Sequence, residues 1–135
     1  MAGFKSYKGF YVVENPKKCL NQEGRIFFRS KLEYQVIKKL DLGDDYKKWG
    51  YELIKIPYVD PLKGKKRFYI IDIVVITHEG KKELWEIKYL SIAKSKFDGR
   101  KNAMINEEII RNKAKWRAAK EFCKNNGYIF KVVGI

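Results

Sequence analysis

Histidine occurs once in these 135 residues, as His78, and cysteine only twice, as Cys19 and Cys123. So few nitrogen and sulfur ligands exclude an ordinary four-ligand zinc site. Two thiols far apart in sequence, with no partner pattern, read as reduced and buried rather than as a disulfide framework. Long apolar runs are missing too. The longest, Ile70 to Ile76, is interrupted by Asp72 and falls short of the ~18 residues that suggest a membrane span. The opening residues, MAGFKSYKGFYVV, hold neither an extended apolar segment nor a small-residue cleavage site, so no secretory signal and no membrane partner is expected. Negative charge is also scarce: 16 Asp and Glu face 30 Lys and Arg, for a formal net charge of +14. A polyanion is the natural partner of such a chain, and nucleic acid is the commonest polyanion. Ribosome-binding and membrane-surface proteins share that balance, so charge narrows the partner without naming a function.

What the chain does have is material for a core. Hydrophobic residues make up 45% and aromatics 15% of it, which indicates a folded globule of one domain rather than a disordered tail. Residues 1–27 read as an N-terminal extension with a strand-like run, Phe10 to Val13, and a turn at Asn15-Pro16. Residues 28–135 read as the domain core. In FRSKLEYQVIKKLDLG, Ser30 is a good N-cap, Leu32, Val36, Ile37 and Leu40 share a helical face, and Gly43 follows as a stop. YELIKIPY alternates as a strand ending at Pro57. The basic turn PLKGKKR leads into FYIIDIVVIT, a buried strand; HEGKKE reads as a hairpin connection around Gly80, and LWEIKYL as the next strand. Residues 91–101 read as a basic loop, Asn102 to Asn126 as a long helix, and YIFKVVGI as a final strand. The resulting order is helix, three strands, helix, strand: a small mixed α/β sheet flanked by helices.

Three charges stand where this pattern is most core-like: Asp72, then Glu86 and Lys88. Glu86 and Lys88 are two apart on a strand and share a face, while Trp85, Ile87 and Tyr89 share the other. A hairpin around Gly80 brings Asp72 toward Glu86. Two adjoining carboxylates repel unless a cation lies between them. Oxygen donors alone favour a hard ion, Mg²⁺ with Mn²⁺ as substitute. The Ile87 carbonyl is the geometric candidate for a third donor, and a lysine beside such an ion suits in-line attack of water on a phosphodiester. The bland alternative is a cross-strand ion pair between Asp72 and Lys88. Buried charge on adjacent strands is costly unless it serves a site, which weighs against that alternative. Glu33 has two readings: the partner of Ser30 in a capping box, or a further acidic ligand of the metal.

Lys63, Lys65, Lys66 and Arg67 precede the Asp72 strand; Lys94, Lys96, Arg100, Lys101, Arg111, Lys113, Lys115, Arg117 and Lys120 follow Lys88. Together they flank the candidate site as a phosphate-tracking groove requires. A solvated helix face explains any one of them equally well. The long helix cannot be basic on every side, because Trp116 and the isoleucines need burial. His78 reads as a surface turn residue, and Trp49, Trp85 and Trp116 as core.

With Asp72, Glu86 and Lys88 behind an acidic helix, the chain resembles the PD-(D/E)xK nuclease superfamily, with Ile71-Asp72 in place of the eponymous Pro-Asp. FRSKLE, Trp49 with Glu52 and Ile56-Pro57-Tyr58, GKKRFYIID, EIK and NEEIIRNKAKWRAAKEFCKNNGYIFKVV are, taken together, similar to the head-completion nucleases of T-even-like tailed phages. The resemblance implies a restriction-endonuclease-like fold and a metal-dependent DNA endonuclease of phage head completion. It implies Glu33, Asp72, Glu86 and Lys88 as catalytic positions, with Asp72, Glu86, the Ile87 carbonyl and Glu33 around Mg²⁺. Arg29 and Ser30 precede Glu33 as in the arginine-serine-x-x-glutamate pattern of transposon-end endonucleases, and join Lys65, Lys66, Arg67, Lys94, Lys96, Arg100, Lys101, Lys113 and Lys115 as expected DNA contacts. Phage head or portal proteins are the implied further partners, in the host cytoplasm or the virion. Two other readings stand beside this one: a restriction, repair or transposon-end endonuclease of the same superfamily, and a non-catalytic basic neck protein that binds DNA. The sequence does not set the choice between monomer and homodimer.

Overall fold

The computed structural model describes residues 7–88 and 99–134, with side chains from 106 onward in the second segment. Strands β1 (Gly9–Val12) and β2 (Arg25–Phe28) form an antiparallel hairpin in which Phe10 faces Phe27. Strict alternation sends Tyr11, Ile26 and Phe28 inward and leaves Phe10, Val12 and Phe27 outside. Helix α1 (Lys31–Leu42) starts where the sequence suggests: the Ser30 hydroxyl accepts the Glu33 N–H at 3.1 Å. It stops at Gly43, whose N–H bonds the Lys39 carbonyl. A Cβ at Gly43 would lie 2.7 Å from that carbonyl oxygen, so glycine is what lets the chain turn there.

Two sequence-level strands each divide in two. YELIKIPY gives only its first residue to β3 (Lys48–Tyr51), most of which precedes it, and its later part to β4 (Lys55–Val59), with Glu52 at φ 52° between them. FYIIDIVVIT becomes β5 (Lys66–Ile70) and β6 (Ile73–Ile76). Pro57 therefore does not end a strand. It lies within β4 opposite Phe68, tolerated because a two-stranded ribbon leaves each strand a free edge. Asp72 is likewise not mid-strand but at the β5–β6 joint. After a turn with Gly80 at φ 85° come β7 (Lys82–Lys88), helix α2 (Gly99–Asn126) and β8 (Tyr128–Gly134). The helix thus begins three residues before its expected start.

The main sheet has the order β3-β6-β7-β8, antiparallel except where β8 runs parallel to β7. Its two faces bury different neighbours. Trp49, Ile73, Val75 and Trp85 pack with α1 residues Ile37 and Leu40 and with the β1–β2 hairpin. Val74 and Leu84 pack with Ala119 and Cys123 of α2 and with Ile56, Tyr58 and Tyr69 of the β4–β5 hairpin. The molecule is a mixed α/β structure with a helix and a hairpin on each side of the sheet. No helix among the described residues is long and apolar enough to cross a membrane.

Isoleucine burial on α2 is not as the sequence suggests: Ile109 and Ile110 are exposed. The helix is seated on the sheet by Ala119 and Cys123 further along, with Trp116 and Phe122 packed beside them. Two buried acids act as struts. Asp60, with no exposed surface, accepts from Arg67 of β5 at 3.0 Å and Arg111 of α2 at 3.4 Å, tying the hairpin to the helix. Burial raises its pKa, but the Leu62 N–H and the two guanidiniums outweigh that and hold it below the usual carboxylate range. Asp41, equally buried, accepts from the Tyr11 hydroxyl and from the N–H groups of Glu14 and Asn15. Replacing it with alanine strands three donors, and Asp41→Ala is expected to cost roughly 3–5 kcal/mol. Urea unfolding followed by tryptophan fluorescence checks this; a loss under about 1 kcal/mol would mean that water takes over those donors.

Candidate active site

The sequence candidates Glu33, Asp72, Glu86 and Lys88 come from three elements that meet at one end of the sheet. Register explains the meeting. Ile73 faces Trp85, so the preceding and following residues, Asp72 and Glu86, adjoin across the β6–β7 pair. The Ile87 N–H donates to Asp72 Oδ2 at 2.7 Å. Since a strand residue presents its N–H and C=O to the same side, the Ile87 carbonyl points to the Asp72 edge as well. Asp72 is fixed a second time through its own carbonyl, which accepts the Glu52 N–H at 3.0 Å. That bond falls at the one non-glycine residue with positive φ among the described residues, so the kink between β3 and β4 helps hold the aspartate.

The electrostatics are those of crowded acids. Burial, then the charge of Glu86, push the Asp72 carboxyl up from 3.8 to about 8; hydrogen bonding to Glu86 and the charge of Glu33 add to the rise, and the Ile87 N–H opposes it. In the absence of a cation the two neighbouring carboxyls therefore resist carrying both negative charges at once. Glu86 Oε2 accepts from the Tyr69 hydroxyl at 2.5 Å. Burial and Glu86 raise the Tyr69 pKa, so this phenol stays a donor. The Trp116 indole N–H opposes that rise from outside hydrogen-bond geometry.

Lys88 follows the alternation onto the α2 face, where its ammonium lies 5.2 Å from the centre of the Trp116 ring. Among the described residues the ion pairs are Arg29–Glu52, Arg67–Asp60, Arg111–Asp60 and Lys131–Glu83. The cross-strand Asp72–Lys88 pair is not one of them. Glu33 serves the start of α1: its carboxylate accepts from the Arg29 N–H at 3.2 Å and the Tyr51 hydroxyl at 2.5 Å, while its own N–H is capped by Ser30. Burial and then Glu33 raise the Tyr51 pKa, keeping that phenol protonated too.

The donor chemistry suits a hard cation. Asp72 and Glu86 offer oxygen donors alone, and the burial and repulsion that raise the Asp72 pKa mark a position where positive charge is stabilised. Among the described residues no three histidine, cysteine or carboxylate side chains converge as a ready metal cage. Two carboxylates and a carbonyl are the local set, which is enough for an ion that keeps several waters. His78 lies at the turn beyond β6, with Nε2 2.6 Å from the Asp44 carbonyl oxygen.

The expected DNA contacts separate. Lys65, Lys66 and Lys113 are exposed, whereas Arg67 is engaged by Asp60 and Lys115 covers the Tyr69 ring at 5.7 Å. Ser30 is occupied as the helix cap, and Arg29 reaches Glu52 at 2.8 Å. Lys94 and Lys96 lie outside the described residues, as do the side chains of Arg100 and Lys101. Sequence reasoning missed Tyr69, Tyr51 and the seat that Trp116 gives Lys88. For Tyr69 the signal was present: it shares a strand face with Ile71, inside the hairpin that leads to Asp72.

Comparison with known proteins points to endonucleases. The chain is 28% identical over 141 residues to the head completion nuclease of Enterobacteria phage T4, spanning 95% of this chain and 91% of that protein. No solved structure matches it. The family model described as TnsA-like endonuclease N terminal matches residues 44–134, a stretch that contains Asp72, Glu86 and Lys88. The chain belongs to the TnsA-like endonuclease N-terminal family.

Proposed function

We propose that this protein is a divalent-metal-dependent DNA endonuclease with a restriction-endonuclease-like core, acting on DNA ends during phage head completion. The observation that carries the reading is the Asp72–Glu86 pair, two carboxyls brought side by side by the β6–β7 register, with Lys88 on the same sheet face as Glu86. The similarity to the phage T4 head completion nuclease supports the setting. Asp72, Glu86 and the Ile87 carbonyl would hold Mg²⁺, with Mn²⁺ as substitute, and Glu33 would support it from α1. When bound, the ion supplies charge opposite that developing on phosphorus and lowers the pKa of the attacking water. Tyr69 fixes one oxygen of Glu86, leaving the other for the ion. The Ile87 N–H fixes Asp72 in the same way. Lys88, seated on Trp116, orients the water and stabilises the phosphoryl oxygens as charge accumulates. The exposed lysines of the β4–β5 turn and of α2 track the phosphate backbone.

The test is supercoiled plasmid incubated with purified protein in Mg²⁺, Mn²⁺ or EDTA, beside Glu86→Gln. Nicking or linearisation that needs metal is expected, slowed about 10- to 100-fold by the substitution, which keeps the Tyr69 hydrogen bond but removes the charge. DNA binding without cutting under all three conditions would overturn the enzymatic reading in favour of a basic neck protein.

A further inference from the structure

The outer face of the β1–β2 hairpin belongs to no part of the mechanism above, and it is unusual for a free surface. Phe10 is 58% exposed, Phe27 38% and Val12 69%. Phe10 and Phe27 pack edge to face at 5.2 Å. A guanidinium lies against each ring: Arg25 4.5 Å from the centre of Phe10, and Arg29 5.8 Å from that of Phe27. No acidic residue occurs in either strand, and exposed Lys8 precedes them. The face ends at the candidate active site, because the Arg29 N–H donates to the Glu33 carboxylate. The family match begins at residue 44, so it assigns nothing to this hairpin.

We infer that this face is a stacking platform for unpaired bases of the DNA substrate, so that the protein engages ends or forks with a single-stranded tail. The inference rests on the endonuclease reading for its setting. Its chemistry is independent. Flat apolar rings stack on any base because every base has a π face, and flanking arginines add cation–π contact and phosphate neutralisation. A continuous duplex hides its base faces, so only unpaired nucleotides can use such rings. A protein partner of matching apolar shape is the rival occupant. The face carries Lys8 and Arg25 with no acid in either strand, Arg29 at its edge being paired with Glu52, and in a chain with net charge +14 it complements a polyanion instead.

The experiment uses the full chain in EDTA, where the binding measured is separate from any cutting. A fluorescein-labelled duplex, blunt or carrying an oligothymidine tail of about six nucleotides, is titrated by anisotropy. Wild type is expected to bind the tailed duplex about ten-fold more tightly than the blunt one. Phe10→Ala with Phe27→Ala is expected to lose that preference while binding blunt duplex as wild type does. Phe10→Leu with Phe27→Leu, which keeps apolar surface but not the rings, is expected to lose it as well. A 5-iodouracil tail is expected to photocross-link to Phe10 or Phe27. Equal wild-type affinity for the two DNAs overturns the inference, as does preference retained in both variants. Equal affinity together with self-association that the variants abolish would make the face a protein interface. Because no step needs cleavage, loss of the endonuclease reading and loss of this one are distinguishable.

Discussion

Asp72→Asn is expected to slow metal-dependent cleavage by at least about 10³-fold and, without metal, to make the protein more stable. The two effects have one origin. Asparagine can still accept the Ile87 N–H, so the joint between β5 and β6 keeps its hydrogen bond. What it loses is the charge that a cation needs. The stability effect follows from linkage. In the unfolded chain Asp72 releases its proton near the ordinary 3.8, whereas in the folded protein burial and Glu86 hold it to about 8. Between those values the native state binds more protons than the unfolded state, so stability falls as pH rises through the window and levels off above it. Asparagine has no proton to release and escapes the loss. At about 1.4 kcal/mol per pKa unit, even a fraction of the shift amounts to on the order of 2 kcal/mol, or several degrees in Tm. Melting curves in EDTA at acid, neutral and mildly alkaline pH are the check: the gap between variant and wild type is expected to widen with pH. A constant gap, or a less stable variant at every pH, would show that the carboxyls are not in conflict. Mg²⁺ is expected to raise the Tm of wild type and to leave Asp72→Asn unmoved.

Much of this site was legible because β-structure has a short period. The two-residue spacing of Glu86 and Lys88 placed them on one face, the Gly80 turn brought Asp72 alongside, and Ser30 marked the start of α1. The breaks were not legible. A run such as YIIDIVVI has the same hydrophobic pattern whether it forms one strand or two, and what distinguishes β5 from β6 is the tertiary partner each takes, β4 for the first and β3 for the second. The left-handed conformation of Glu52 has no sequence mark, since glutamate is an uncommon residue there. Period placed Ile105, Ile109, Trp116, Ala119 and Cys123 near one helical spacing, and of these Trp116, Ala119 and Cys123 pack on the sheet while Ile109 does not. Alanine and cysteine at 119 and 123 let the helix approach closely, while the larger Ile109 and Ile110 lie exposed. The tyrosines escaped for a different reason. A phenol buried at a carboxylate looks, in sequence, like any aromatic core residue.

Lys88→Ala is expected to lower cleavage about 10²- to 10⁴-fold while changing DNA affinity little, and that contrast separates an enzyme from a basic binding protein. A lysine that served only the phosphate backbone would act as one contact among many, its removal lowering the salt slope by about one and affinity modestly. Lys88 is not placed like the exposed lysines of the β4–β5 turn. It extends from the strand that carries Glu86, and the Trp116 face restricts where its ammonium can go. Loss of that cation–π contact costs about 0.5–1 kcal/mol of stability, too little to unfold the domain. Single-turnover cleavage and anisotropy on the same DNA, for wild type, Lys88→Ala and Lys88→Arg, make the measurement. Arginine keeps the charge but replaces a compact ammonium with a broad planar fork, so it is expected to restore binding fully and cleavage only in part. If Lys88→Ala cuts at the wild-type rate, the charge that meets the transition state comes from another residue, and Lys88 is no more than a strand-end cation resting on tryptophan. If cutting is lost and binding kept, the position of one ammonium, rather than the protein's large positive charge, is what makes it a nuclease.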